Sequence, residues 1–258
     1  MVFPLYDDNT GRATTPWVNY ALIALNIFVF VVFQGIGTNE HFTYSFSTVP
    51  LEIITGRDIV TPDRVLVHPV TGQRLLVPGL GETPLTVYFT LFSSMFMHGG
   101  LAHIAGNMLF LWIFGDNIEH RLGHLRFVLF YFLCGLAASF AHILFNSGSI
   151  VPAVGASGAI SGVLGGYLLM FPRNRVYVLT WGGVMAVPAL FMLGLWIVTQ
   201  FVNGVGSIAM TDETSGGGVA YMAHIGGFVA GLVLAPLFAI GQRPSLSSPS
   251  RRDLSRWQ

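Results

Sequence analysis

Apolar residues along this chain come in long runs, interrupted by short polar or glycine-rich stretches, with little alternation between the two. Runs of helical length occur near 17–35 (WVNYALIALNIFVFVVFQG), 99–115, 126–145, 157–171, 177–202 and 221–240. About 20 mainly apolar residues are needed to cross a bilayer as a helix, so the pattern predicts six spans. The second and fourth are short and contain polar residues. The expected fold class is an all-α polytopic membrane protein, a six-transmembrane-helix bundle with no long-period repeat. Its parts are a polar N-terminal segment at 1–16, one helical domain at 17–240 with a long loop at 36–85, and a Ser/Pro/Arg-rich tail at 241–258, expected to be disordered.

Composition agrees with the pattern. Hydrophobic residues make up 53% and charged residues 9%, against about 25% charged in a soluble domain. The bilayer is therefore the main solvent. The 12 basic residues are all arginine and the net charge is zero, which points away from nucleic acid. Cys134, the single cysteine, lies in an apolar run and reads as packing. The opening stretch MVFPLYDDNTGRATTPW has no basic region ahead of the first run, so that run is expected to stay as an anchor. The absence of a transit-peptide pattern gives a prokaryotic plasma membrane as the expected setting.

Arginine placement sets an expected orientation. Arg12, Arg121, Arg126, Arg173, Arg175, Arg243, Arg251, Arg252 and Arg256 fall on one side of the six-span topology, and only Arg57, Arg64 and Arg74 on the other. The positive-inside rule then puts both termini in the cytoplasm. Two outer stretches stand out. The end of the first loop, TPLTVYFTLFSSMFMHGG, reads as an amphipathic interfacial segment or as scaffold. The glycine-rich 203–220 reads as a mobile cap or as a linker.

Polar side chains within spans are costly and usually face the bundle interior, so each is a candidate. They are His98, His103, Asn107, His142, Ser157 and His224. His103 and Asn107 are four apart and share a helix face. Counting 1.5 Å per residue from the inner helix ends puts Ser157 roughly 21 Å up, His224 roughly 24 Å, His103 roughly 18 Å and Asn107 roughly 12 Å. Spans two, four and six run in the same direction, so these groups converge on one buried polar site.

That set suits acyl transfer. A serine hydroxyl needs a base, which a neutral histidine supplies. An oxyanion needs fixed donors, which Asn107, His103 and the Ser157 N–H can supply. Glycines at 155 and 158 let a substrate backbone approach. No Asp or Glu lies between Glu119 and Asp212, so the expectation is a Ser–His dyad. Other readings stay open. GASGA lacks the last glycine of the G-x-S-x-G elbow. Gly158-x-x-x-Gly162 and Gly227-x-x-x-Gly231 match small-residue helix packing. Three histidines can bind a metal, although no H-E-x-x-H is present, and the expectation is no metal. His142 reads as a structural hydrogen-bonding residue.

Taken together, His98-Gly99-Gly100-x-x-His103-x-x-x-Asn107, Gly155-x-Ser157-Gly158 and Ala223-His224-x-x-Gly227-x-x-x-Gly231 resemble the motifs of the rhomboid family of intramembrane serine proteases, in the family's order, across residues 17–240. The resemblance implies Ser157 as nucleophile, His224 as general base, and His103 with Asn107 at the oxyanion hole. It implies support from His98, Gly155, Gly158, Ser161, Gly227 and Gly231. It also implies cleavage of transmembrane protein substrates within the bilayer, with no cofactor. The chain departs from the family in two places. Ser161 stands where some members carry a tyrosine stacked on the histidine, and is expected to hydrogen-bond His224 instead. The Trp-Arg pair that some members carry in the first loop is missing. The rival classes are a non-catalytic relative that binds membrane proteins and a small transporter. The second lacks the charged midplane residues it needs in spans three to six.

Overall fold

The computed structural model describes residues 3–10, 12–67, 74–209 and 220–242. Strand β1 (Phe3–Asp7) leads to helix α1 (Trp17–Phe28), which continues as a π turn, Val29–Phe33. Two short helices follow, α2 (Glu40–Ser45) and α3 (Pro50–Thr55), then a hairpin of β2 (Arg64–Val67) and β3 (Arg74–Val77). Helix α4 (Thr90–Ser93), flanked by 3-10 turns, precedes α5 (Leu101–Leu122), α6 (His124–Phe145) and α7 (Ser157–Met170). A second hairpin, β4 (Arg175–Thr180) and β5 (Gly183–Pro188), leads directly into α8 (Ala189–Ala209), and α9 (Tyr221–Ala239) closes the order.

Helix α7 is the hub, with every residue from Gly158 to Tyr167 buried. Its sequence, SGAISGVLGG, has little side-chain bulk, so neighbours approach to backbone distance. A Cβ at Gly227 of α9 would lie 2.0 Å from the Gly158 carbonyl oxygen, and one at Gly231 would lie 2.0 Å from that of Gly162. The two small-residue motifs therefore pack against each other. On the other side, a Cβ at Gly162 would meet Cys134 of α6 at 2.3 Å, so Cys134 is a packing residue. Toward the opposite end of α7 the core turns aromatic. Phe114, Phe127, Phe130, Tyr131 and Tyr167 are fully buried, and the Phe114 and Tyr167 rings meet edge to face at 4.9 Å.

Buried polar groups tie the N-terminal region to this bundle. Pro16 at the start of α1 offers no side-chain cap. The buried Glu119 carboxylate instead accepts from the Val18 and Asn19 amides at 3.0 and 2.7 Å, capping α1 from α5 where the helix dipole favours an anion. Asp7 of β1 accepts from Asn117 Nδ2 at 2.8 Å and from the Tyr167 hydroxyl. Arg12 pairs with Asp116.

Several expectations need correction. The fold is mostly helical but not all-α, because β1, β4 and β5 form a three-stranded antiparallel sheet. The fifth run, 177–202, is not one helix. Nearly its first half belongs to the β4–β5 hairpin, whose Thr180–Gly183 pair closes a two-residue turn at Trp181-Gly182, where glycine suits a tight turn. Each of the six runs contains a helix, yet among the described residues only His124–Phe145 and Tyr221–Ala239 are long and apolar enough to span by themselves. The stretch at 87–96 buries Val87, Leu91 and Met95 and exposes Tyr88, Phe89 and Phe92. Leu91 packs with Ile53 and Ile143, so it is both amphipathic and scaffold. Of the glycine-rich 203–220, residues 203–209 belong to α8; 210–219, like the tail from 243, lie outside the described residues.

Candidate active site

Ser157 opens α7, two residues after Gly155, whose φ of +125° is a conformation that L side chains rarely adopt. The Gly155 N–H donates to the Ser94 carbonyl at 2.9 Å. A Cβ at Gly155 would sit 2.9 Å from His103 Nε2 and 3.5 Å from Ser157 Oγ. Only glycine lets the imidazole and the hydroxyl flank this backbone so closely.

His224 lies in the first turn of α9, with its Nε2 2.8 Å from Ser157 Oγ and its Nδ1 2.7 Å from Gln200 Oε1. An amide oxygen only accepts, so the pair assigns the proton to Nδ1. The Nε2 lone pair is then left facing the serine hydroxyl. Trp196, one turn before Gln200 on α8, places its ring 5.9 Å from the His224 ring at a tilt of 35°. Ser161 does not reach the histidine. Its Oγ donates back to the Ser157 carbonyl at 2.6 Å, the ordinary bond of a short hydroxyl within a helix.

Sequence reasoning missed Gln200 and Trp196. The one available signal was an amide set within LFMLGLWIVTQFV, a run otherwise suited to lipid.

The remaining candidates gather on α5 and the turn before it. His103 Nδ1 accepts from the Gly99 N–H at 3.3 Å, which leaves Nε2 as the N–H bearing nitrogen on the Gly155 side. Asn107 is one turn further along and buried, and among the described residues its Nδ2 has no hydrogen-bond partner. His98 is 1% exposed and its ring lies 5.2 Å from that of His103. Gln34 clamps the His98 backbone at both ends, accepting from its N–H at 3.0 Å and donating to its carbonyl at 2.9 Å. Gly158, Gly227 and Gly231 serve as packing positions.

A cavity of about 40 Å³ adjoins Ser157, lined in part by Thr48, Ser94, Ser139 and His142. That is room for about one or a few waters among polar groups. His142 contacts Asn146 within α6 and also faces this cavity, so it belongs to the site as well as to its helix. A hydroxyl bonded to an oriented imidazole, near a side-chain amide donor, Asn107 Nδ2, that has no partner among the described residues, is equipped for attack on a carbonyl.

Comparison with known proteins gives the family. Residues 86–240 match the Rhomboid domain family model, a stretch that contains every candidate named from His98 to His224. Rhomboid protease GluP of Bacillus subtilis (strain 168) is 34% identical over 65% of this chain and 29% of its own length. RHOMBOID-like protein 1 of Arabidopsis thaliana is 27% identical over 93% of this chain and 57% of its own. Rhomboid protein 1, mitochondrial, of Saccharomyces cerevisiae (strain ATCC 204508 / S288c) is 28% identical over 67% and 53%. The chain thus spans less than two thirds of each of these relatives, and they come from bacterial, plant and mitochondrial settings. With more than half of its length matched by that domain, the chain belongs to the rhomboid family.

Proposed function

We propose that this protein is an intramembrane serine endopeptidase acting on transmembrane protein substrates near the outer membrane face. The observation that carries the reading is the 2.8 Å contact between Ser157 Oγ and His224 Nε2. His224 takes the hydroxyl proton as Oγ bonds to the scissile carbonyl carbon. The oxyanion that forms is met by Asn107, His103 and the Ser157 N–H. His224 then returns the proton to the leaving amine as the C–N bond breaks. A water enters through the polar cavity beside Ser157 and gives a proton to His224. Its oxygen displaces Oγ from the acyl carbon, and Oγ recovers the proton. Gln200 holds the imidazole in the tautomer that each step needs.

In this reading six helices cross the bilayer, with both termini on the arginine-rich, cytoplasmic side of a plasma membrane. Substrates unwind where they meet the pocket, because unpaired backbone groups are costly in lipid. Cuts therefore fall near the outer end of single-span helices, beside small or helix-breaking residues. The test is cleavage of a panel of single-span substrates by purified protein in lipid, with products mapped by mass spectrometry. A serine-reactive fluorophosphonate should label Ser157, and Ser157→Ala and His224→Ala should both abolish cleavage without unfolding. Absent labelling and cleavage would favour a non-catalytic relative. Activity lost to a chelator and restored by zinc would favour a metal site.

A further inference from the structure

The three-stranded sheet presents a face that no part of the described chain covers. Cross-strand register puts Val176 and Val178 of β4 inward, where both are fully buried against the bundle. The same register puts Tyr177, Leu179 and Val184 on the opposite face, with Phe3 and Tyr6 of β1 beside them. Phe3, Tyr6, Leu179 and Val184 are about half exposed, and Trp181 at the hairpin tip is 101% exposed. The outer face of an antiparallel sheet is normally polar, so this one is matched to something other than water.

We propose that this face lies in the membrane interface, with Trp181 among the lipid headgroups, so that the β4–β5 hairpin anchors the base of α8 on the bilayer surface. Three observations choose lipid over a protein partner. First, no Asp, Glu, Lys, Arg or His occurs from Val176 to Met210, so the hairpin shares its uncharged character with the exposed apolar flank of α8, which includes Leu190, Phe191 and Leu195. Second, the sheet sits beside the bundle, not beneath it. Asp7 bonds to Asn117 and Tyr167, which lie roughly 5–8 Å inside the ends of α5 and α7 by helical rise. Third, the charge at the base fits. Arg173 and Arg175 are exposed where the hairpin starts, placed for anionic headgroups while aromatic rings occupy the interface. β5 is a free sheet edge, and open edges are excluded from the hydrocarbon. The hairpin therefore rests at the headgroup level.

The test uses the full chain in vesicles of phosphatidylcholine and phosphatidylglycerol. Trp181→Cys is labelled with an environment-sensitive fluorophore, since Cys134 is fully buried. Thr10→Cys, at an exposed position near the same sheet, is the control. Expected results are quenching at 181 by lipids carrying a shallow nitroxide, and iodide quenching several-fold weaker than at position 10. As a check free of labelling, Trp181→Phe should reduce the share of intrinsic emission that those lipids quench. Equal iodide access at both positions, with no lipid quenching, would overturn the proposal. So would shielding that appears only when many copies share a vesicle, which would assign the face to a second copy of the chain.

Discussion

Gln200 does for His224 what a carboxylate does in a three-residue triad, but without a charge. Loss of the correct tautomer in such a triad costs about 10⁴ in turnover, and a neutral anchor contributes less. Gln200→Leu is therefore expected to lower kcat by about 10² with little change in KM, since the amide faces the imidazole and not the substrate. Fluorophosphonate labelling should slow in parallel, and steady-state kinetics on one substrate would check both. An unchanged kcat would reduce Gln200 to packing. Asn107→Ala is expected to cost about 10²–10³ in turnover, as for a single oxyanion donor, because the Asn107 Nδ2 donor is buried and unspent. Unaltered turnover would make Asn107 structural. Ser157, His224, His103 and Asn107 were legible because they are polar groups in lipid-like runs at recognisable spacing. Gln200 was not, since one amide in a long apolar helix has no pattern, and only the fold brings it 2.7 Å from a histidine 24 residues away.

Among the elements, the contact between α7 and α9 sets the distance between serine and histidine, because each helix carries one of them. Gly231→Ala forces a Cβ to within 2.0 Å of a backbone oxygen, and overpacking of this kind costs about 1–3 kcal/mol. A lower Tm in detergent is expected, with activity falling further than Tm because Ser157 and His224 separate. Gly194→Ala in α8 meets nothing within 4 Å and should leave Tm unchanged or slightly raised, as alanine favours helix over glycine. The glycine spacing was readable in sequence, whereas its partner surface was not. The β4–β5 hairpin was hidden for another reason. Its residues are as apolar as the helix that follows, so periodicity merged them into one span, and only Gly182-Gly183 marked the turn.

At the level of the whole molecule, the N-terminal strand is fastened to α7 through Asp7 and Tyr167. Burial raises the Asp7 carboxyl above its usual 3.8, against the opposing effects of the Tyr167 and Asn117 hydrogen bonds and of Arg12. A carboxyl raised in the folded state binds more protons folded than unfolded, so stability falls as pH rises from 3.8 through the folded value. Thermal unfolding between about pH 4 and neutrality should show that slope, and Asp7→Asn should flatten it. A slope identical in the variant would assign the pH dependence to other groups, the neighbouring Asp116 first among them. The sequence showed a polar N-terminal segment of 16 residues but not this fastening, because Asp7 and Tyr167 are 160 positions apart.

The glycine contacts also decide which damage a second mutation can repair. A methyl added at Gly158 would strike the Ala138 side chain at 2.6 Å, and one at Gly226 would strike that of Ala141 at 2.3 Å. Both neighbours can be trimmed, so genetic selection for recovered activity should return Ala138→Gly with Gly158→Ala, and Ala141→Gly with Gly226→Ala. At Gly227 and Gly231 the obstacle is a carbonyl oxygen of the main chain, which no substitution removes. Selection on Gly227→Ala or Gly231→Ala should return true revertants alone. Such lineages should retain glycine at these two positions while the alanines of α6 drift.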